Sequence, residues 1–474
     1  MESLGTILVV AAVLAGALTV AWLVHSARED AWRHAAAALG VEDVSVTHAF
    51  GWARRLTGRV GRLSVTIENY NRSKEDHGTR VSVSGLGLGA GDIAVRREGF
   101  GTMVEKLFGE AELSCGDAAF DERAYIRGRP TVVHGLLTAD ARRSLAALLE
   151  PRIAVGPDSA GHDRTVRGRL QLRDDKLSLE LRGMVPKHLD VTLRRLLECA
   201  TQLSKPDDLP ARLAGNAQND PIAAVRLANL ETLLTRHAGH PQTGAALHAA
   251  LGDADPALRL RAATVLGGEG EAVLLELATD GGVPQSLAAQ AMDVLGARMP
   301  IERCLDLLQA AVDAGRLRVA RKAIATLAQL RAEHARDCLV TILEHADDGL
   351  AVAAATALGD VGDSRVEGDL IQMLAADAGE RRRAAALALG RVGTVTAVSP
   401  LREAIESRTL DLSFRQAAKD AIAAIQSRLT GANAGQVSLA VSTAGDLSLP
   451  AEPAAGHLAL NGPSATRPSV LDEG

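Results

Sequence analysis

Four patterns of hydrophobic and polar positions follow one another along the chain, and each predicts a different kind of element. From Leu4 to Val24 no charged residue occurs, and a helix of these twenty-one residues rises about 31 Å, near the hydrocarbon thickness of a bilayer. The run therefore predicts a transmembrane helix. Trp22 stands where an interfacial anchor belongs, just before the polar stretch from His25 to Asp30. Between about Val41 and Ala200 the period shortens. Leu63-Ser-Val-Thr-Ile67 and Arg80-Val-Ser-Val-Ser84 alternate apolar and polar residues, as half-buried strands do. Asp92 to Arg96 reads as a third strand, and Arg167–Arg173 with Lys176–Arg182 as a hairpin around Asp174-Asp175. The polar stretch Asn69 to Gly78 reads as a loop, and helices are expected at Asp30–Leu39, Thr138–Leu149 and His188–Leu203, the second capped by Thr138. These elements predict one α+β domain.

After Lys205-Pro-Asp-Asp-Leu-Pro210 the chain becomes periodic. Arg261-Ala-Ala-Thr-Val-Leu-Gly267 returns at Gln290–Gly296, in a degenerate form at Lys322–Ala328, then at Ala353–Gly359 and Ala384–Gly390. Leu266, Leu295, Leu327, Leu358 and Leu389 fall 29, 32, 31 and 31 residues apart. Flanking copies occur at Arg226–Leu230 and Ala417–Ile422. A fixed period of this size signals a solenoid of stacked helical pairs. In each copy Ala and Leu recur every three or four residues, an apolar stripe too narrow to fold alone. The glycine after the leucine is expected to end the first helix as a C-cap, with second helices at Ala272–Ala278, Val366–Ala375 and Pro400–Ser407. From Gly431 the pattern fades into Gly, Ala, Ser and Pro, which predicts a disordered tail. Within it Gly435-Gln-Val-Ser-Leu439, Gly445-Asp-Leu-Ser-Leu449 and Gly456-His-Leu-Ala-Leu460 repeat a G-x-[LV]-[SA]-L motif. These copies are either multivalent linear motifs or low-complexity drift.

Composition sharpens this picture. Aromatic residues are 2% of the chain against 47% hydrophobic. Burial thus rests on Ala, Leu and Val, which favours helices and disfavours a stacking platform for sugars or bases. The net charge of −6 without a long basic run disfavours a nucleic-acid partner. Cys115, Cys199, Cys304 and Cys338 are isolated and match no zinc or disulfide spacing, so they read as buried thiols. A cleaved signal peptide is the rival to the anchor, but the apolar run lacks a positive n-region and an A-x-A-like site. Arg28 and Arg33 follow the helix, which by the positive-inside rule places the bulk of the chain in the cytoplasm.

The chemistry-bearing candidates are few. Gly85-Leu-Gly-Leu-Gly-Ala-Gly91 fits a G-x-G-x-x-A string, but a strand rather than a helix follows it. The helix N-terminus that would hold phosphate is therefore missing, and a turn is expected. Gly116-Asp-Ala-Ala-Phe-Asp121 offers Asp117 and Asp121 as a speculative acid pair for a site in the middle domain. The competing expectation is a turn in which Asp117 accepts backbone N–H groups and Phe120 enters the core. Arg123, Arg127 and Arg129 around Tyr125 form a basic strip that faces either anionic lipid or solvent. In the repeats, Arg316, Arg318, Arg321 and Lys322, and Arg381, Arg382 and Arg383, cluster near helix starts. They are candidates to receive an acidic partner or to pair with turn carboxylates. No Ser/His/Asp, Cys/His, H-E-x-x-H or P-loop pattern stands in suitable context, so neither an enzyme nor a cofactor is expected.

Leu358-Gly-Asp-Val-Gly-Asp363 followed by Val366, Leu370 and Leu374, with the acidic turn Asp253-Ala-Asp-Pro-Ala-Leu-Arg259, resembles short HEAT repeats of the phycobilisome-lyase type, over about Pro221 to Leu429. That resemblance implies a scaffold holding a partner protein in a curved groove. The family's Asp-to-Arg ladder is broken around Gln290 and Ala353, so groove chemistry does not carry over. Gly116–Asp121 with Ile126-Arg-Gly128, Leu136-Leu-Thr138 and Arg142–Leu145 resembles a domain of bacterial membrane proteins with no activity attached to it. The resulting expectation is a multidomain chain: an N-terminal transmembrane helix (1–28), an α+β middle domain (29–205), an all-α HEAT-type solenoid (211–429) and a disordered C-terminal tail (430–474). Function follows as a single-pass scaffold of the bacterial inner membrane that binds protein partners; the alternative is an enzyme or ligand-binding protein with its site in the middle domain.

Overall fold

The structure, a computed structural model, describes residues 2–428 except 50–51, 74–75, 99–111, 158–162, 184–188, 331–334, 346, 376–378 and 408–410, together with 438–439 and 447–448. The chain packs as two compact units, Met1–Gly270 and Glu271–Gly474.

The first unit opens with α1 (Glu2–Ala38). Its last turns carry Trp32, Ala35 and Ala36 into the core, each about 1% exposed. Val20, Trp22 and Leu23 are exposed by 54–61%. Among the described residues no helix is long and apolar enough to cross a membrane. Most side chains of Leu4–Val24 lie outside the described residues, and the expected anchor with them.

Nine antiparallel strands follow: β1 (Glu42–Ala49), β2 (Trp52–Val60), β3 (Leu63–Asn71), β4 (His77–Ser84), β5 (Ile93–Arg97), β6 (Ala124–Gly128), β7 (Arg152–Pro157), β8 (Asp163–Arg173) and β9 (Lys176–Arg182). Their order is β1-β2-β3-β4-β9-β8-β5-β6, with β7 on the free half of β8. Alternation decides which face is buried: Leu63, Val65 and Ile67 point inward with Val81, Val83, Leu177, Leu179, Leu181, Leu170 and Leu172. The helices α2 (Ala118–Asp121), α3 (Pro130–Leu136), α4 (Ala139–Leu149) and α5 (Leu189–Gln202) complete the domain. Leu145, Leu148, Leu193 and Leu196 on α4 and α5 join that core. The opposite face stays polar. Glu68 there accepts from Arg55 and Arg80, and Glu180 from Arg80 and Arg72, an ion ladder across four strands.

The expected loop at Asn69–Gly78 is shorter, because β3 runs on to Asn71 and β4 begins at His77. The first two strands had no clear alternation to betray them; among their described side chains only Leu56 of β2 is a large, fully buried apolar residue. The glycine string is the expected turn. Gly85, Gly87 and Gly91 have positive φ, and the backbone N–H groups of Gly85 and Leu88 donate to the Asp175 carboxylate at 2.9 and 3.0 Å.

Four helices of the repeat pattern belong to this first unit: α6 (Leu209–Asn219), α7 (Ala223–Arg236), α8 (Pro241–Leu251) and α9 (Pro256–Leu266). The second unit holds α10 (Glu271–Thr279), α11 (Gln285–Leu295), α12 (Ile301–Asp313), α13 (Leu317–Gln329), α14 (Arg336–Leu343), α15 (Asp348–Val361), α16 (Glu367–Met373), α17 (Gly379–Val392), α18 (Val398–Ser407) and α19 (Leu412–Ser427). In it α11, α13, α15, α17 and α19 stack directly on one another, each also resting on the helix before it. The repeated leucines Leu327, Leu358 and Leu389 are at most 1% exposed, each worth roughly 2 kcal/mol of burial. The expected tail lies outside the described residues, apart from Ser438-Leu439 pairing antiparallel with Leu447-Ser448, which are parts of the first two tail motifs.

The glycine expectation needs correcting in half the copies. Gly267 and Gly296 do cap α9 and α11, with φ of 62° and 48°. Gly359 and Gly390 do not: α15 runs on to Val361 and is capped by left-handed Gly362, and α17 runs on to Val392. There the missing side chain serves packing instead. A Cβ on Gly359 would stand 2.9 Å from Cα of Ala388, and one on Gly390 3.1 Å from Cα of Ala421.

Candidate functional site

The two basic clusters of the repeats divide into residues spent on the fold and residues left on the surface. Arg316 lies just before α13 and reaches back to the previous interhelix turn, donating to the carbonyls of Asp280 (3.2 Å) and Val283 (2.8 Å). Arg381, on α17, does the same two repeats later, donating to His345 O at 2.6 Å and Asp348 at 2.5 Å. Arg382 is 6% exposed; it donates to Asp411 at 3.1 Å and lies 5.7 Å from the Phe414 ring centre. Backbone donation from Phe414, then the Ser413 hydroxyl and Arg382, holds the Asp411 carboxyl below the usual range. Lys322 pairs with Asp293. Arg318, Arg321 and Arg383 are exposed; among the described residues Arg383 donates to Glu380 on its own helix, at 2.8 Å, and Arg321 to Leu317 O on its own turn.

An arginine near the helix start recurs as Arg226, Arg259, Arg382 and Arg415, while the equivalent positions of α11, α13 and α15 hold buried Ala288, Ala320 and Ala351. Arg226 and Arg382 tie one turn to the next. Arg226 donates twice to Asp253, at 2.7 and 2.8 Å. Burial alone would raise the Asp253 pKa, but these bonds and the N–H of Asp255 outweigh it and the pKa falls. Residues 339–423, which hold α15, α17 and most of α19, match the family model described as HEAT repeats. The chain carries HEAT repeats.

Solved structures that match include the complex of CpcE and CpcF of phycocyanin lyase from Nostoc, at 21% identity and TM-score 0.27, covering 48% of this chain and 96% of that one. Human deoxyhypusine hydroxylase in complex with glycerol matches at 16% identity and TM-score 0.20, covering 46% of this chain and 96% of that one. An engineered protein matches at 18% identity and TM-score 0.29, over 63% and 78% of the two chains. Superpositions this loose say nothing of function. No curated relative matches the chain.

In the sheet domain, Asp117 and Asp121 turn away from each other. Asp117 caps α2 by accepting from Phe120 N (3.2 Å), and its second oxygen accepts from Arg142 at 2.8 Å. Asp121 closes the preceding loop, accepting from the Ser114 hydroxyl (2.7 Å), Cys115 N (3.1 Å) and Gly116 N (3.2 Å). Phe120 is 3% exposed. Cys115 Sγ also donates to Asp121, and burial pushes its thiol up to about 12, as it does for Cys199 and Cys304. None of the four cysteines is in a disulfide.

The sequence offered no signal for the polar seam that ties this domain to α6 and α7. Arg142, 3% exposed, donates to Asp220 through two nitrogens at 2.9 and 3.0 Å and to Leu137 O at 2.8 Å. The His134 ring lies 2.6 Å from the Thr232 hydroxyl and 3.2 Å from Ser114 O. Asn216 donates to His134 O and Gly135 O. Gly116 lets the backbone of Ala224 approach so closely that a Cβ would stand 2.8 Å from its carbonyl carbon.

Proposed function

We propose that the protein is a membrane-tethered, non-enzymatic scaffold of the bacterial inner membrane that holds a partner protein on its HEAT repeats. The observation that carries this reading is the division of labour among the repeat cations. Arg316, Arg381 and Arg382 are spent on turns, whereas Arg318 and Arg321 on α13 stay exposed, as does Arg383 on α17, one turn from Leu387, itself 46% exposed. An exposed leucine one turn from an exposed arginine suits an amphipathic acidic segment of a partner. The anchor is supported by the uncharged run Leu4–Val24, the exposed Val20, Trp22 and Leu23 at its end, and the continuity of α1 into the domain core through Trp32. Arg28 and Arg33 beyond the run favour a cytoplasmic bulk. In this reading residues 1–28 anchor, 29–205 form the sheet domain, 211–429 bind and 430–474 extend the reach. An enzyme site built on Asp117 and Asp121 is disfavoured, because their oxygens are committed to Arg142 and to the 114–116 loop.

The test places a photocrosslinking residue at Arg383 or Leu387, and as a control at Glu403 on α18, in the full chain in native membranes. A single adduct from the first two positions, absent from the third, supports the scaffold. Equal labelling from all three sinks it. Release of the protein by alkaline carbonate would remove the anchor.

A further inference from the structure

Only four residues of helix separate the uncharged run of α1 from the first contact with the sheet domain. Helix α1 is continuous from Glu2 to Ala38. Its later turns bury Trp32, Ala35 and Ala36 and pack on β2 and α5. Before them, the Glu29 carboxylate meets the His48 ring of β1 at 3.0 Å. Between Val24, where the run ends, and Glu29 lie His25 to Arg28, which rise about 6 Å. The headgroup layer on one side of a bilayer is of the same size, about 5–7 Å. An unbroken helix offers no slack to hold the domain further off.

The β1–β2 hairpin points toward that run. Strand β1 starts beside the far end of α1, where the Val41 N–H donates to Ala36 O, and comes back to Glu29 at His48. It therefore runs antiparallel to α1. Leu56 is fully buried, and its register partner Val46 packs against the core. Beyond this pair the strands continue through His48 and Ala53 to Ala49 and Trp52, about 10 Å further along. The overhang passes the level of Glu29 on the side of Val24. Alternation places positions 52 and 54 on the same strand face as Leu56, the one that carries the core, and Arg54 is exposed. Tryptophan favours the membrane–water interface, and an exposed arginine at that depth has lipid phosphates within reach. Trp22, 59% exposed, stands at the same boundary on the helix.

We infer that the β1–β2 end of the sheet sits in the lipid headgroup layer, a second membrane contact that fixes how the domain stands on the bilayer. This inference rests on the anchor of the proposed function and adds the surface that meets the lipid. The chain has three tryptophans, Trp22, Trp32 and Trp52, so the test leaves the core untouched. The full chain is reconstituted in phosphatidylethanolamine–phosphatidylglycerol vesicles whose acyl chains carry bromine either near the headgroup or at the bilayer centre. Tryptophan fluorescence is then compared between the two. Trp22→Phe leaves Trp52 with buried Trp32, and Trp52→Phe leaves Trp22 with Trp32. The double variant leaves Trp32 alone and sets the background. Trp22→Phe should lose fluorescence to the shallow bromines and far less to the deep ones, and adding Arg54→Glu should weaken that loss. Quenching in Trp52→Phe but none in Trp22→Phe would leave the anchor standing and overturn the hairpin contact. Stronger quenching of Trp52 by the deep bromines would overturn it as well, by placing the strands in hydrocarbon. If neither single variant is quenched beyond the background, the anchor fails and the inference falls with it.

Discussion

Arg142 has less than a twentieth of its surface exposed, yet it carries a full charge and gives donors to Asp117, Asp220 and Leu137 O. Burial alone would lower its pKa; the two carboxylates outweigh that, and the net shift is upward. Arg142→Ala would strand the Asp220 carboxylate, 1% exposed, without a counterion. Breaking a buried pair from one side costs about 3–5 kcal/mol. Asp117→Asn, at a carboxylate 16% exposed, should cost only about 1 kcal/mol. Urea denaturation of the two variants checks the order. His134 beside this seam gives a pH prediction. Its burial depresses the pKa below the ordinary 6.5, with the Ser114 carbonyl acting weakly the other way. A group with a depressed folded pKa contributes stability that is complete above its unfolded pKa and lost as pH falls through the folded value. The seam should therefore weaken as pH drops below about 6.5, and His134→Gln should flatten that part of the stability curve. An unchanged slope in the variant would remove His134 from the account. His248, exposed and raised by the Gly244 carbonyl and Glu269, has the opposite sign and is common to both proteins.

At the scale of the helix, the repeats show what a sequence discloses and what it withholds. The 29–32-residue spacing of the leucines is a property of buried stripes, so the helices fell where the period put them, as at Glu271–Thr279 and Val398–Ser407. The hairpin at Asp174-Asp175 and the Thr138 cap were legible for the same reason: each is a local rule. A glycine in a repeated Leu-Gly is ambiguous, since a C-cap and a close approach both need it. Only the neighbouring helix, some thirty residues on, decides. The same holds for Arg316, whose acceptors are backbone carbonyls 33 and 36 residues back that no motif encodes, and for the bond from Arg381 to His345 O, also 36 residues back. Asp117 and Asp121 looked like a pair because they are near in sequence; in the fold one serves the α2 cap and Arg142, the other the 114–116 loop. The packing role of Gly359 can be measured. On propensity alone Gly359→Ala should stabilise α15 by about 1 kcal/mol. Against Ala388 the added methyl forces the helices apart, and overpacking costs about 1–3 kcal/mol, so the variant should be less stable. Gly368→Ala on α16 meets nothing within 4 Å and should be neutral or stabilising by about 0.5 kcal/mol. If both behave alike, the close approach is not what selects glycine at 359.

Taken whole, the chain does not divide where its repeat pattern begins. The first unit runs to Gly270, so the early repeat helices share a compact unit with the sheet, and the repeats from Glu271 onward form the other. The physical cause lies in α3 and the seam around it. Helix α3 packs on α6 and α7, Gly135 offers no side chain against Leu209, and Arg142 with Asp220 and His134 with Thr232 fix the angle. Arrays of repeats hold together by nearest-neighbour interfaces, so an element with more neighbours behaves as part of the larger core. Two units with separate cores should open at separate free energies. Hydrogen exchange on the full chain is expected to resolve two sets of amides, one in the sheet with α6–α9 and one in α11–α19. Arg142→Ala should lower protection throughout the first set, α7 and α8 included, and leave α15 and α17 near their original values. Gly359→Ala should do the reverse. Were Arg142→Ala to loosen the sheet alone while α6 to α9 kept their protection, those helices would belong energetically with the later repeats. The seam would then be a surface contact and not the joint between domain and array.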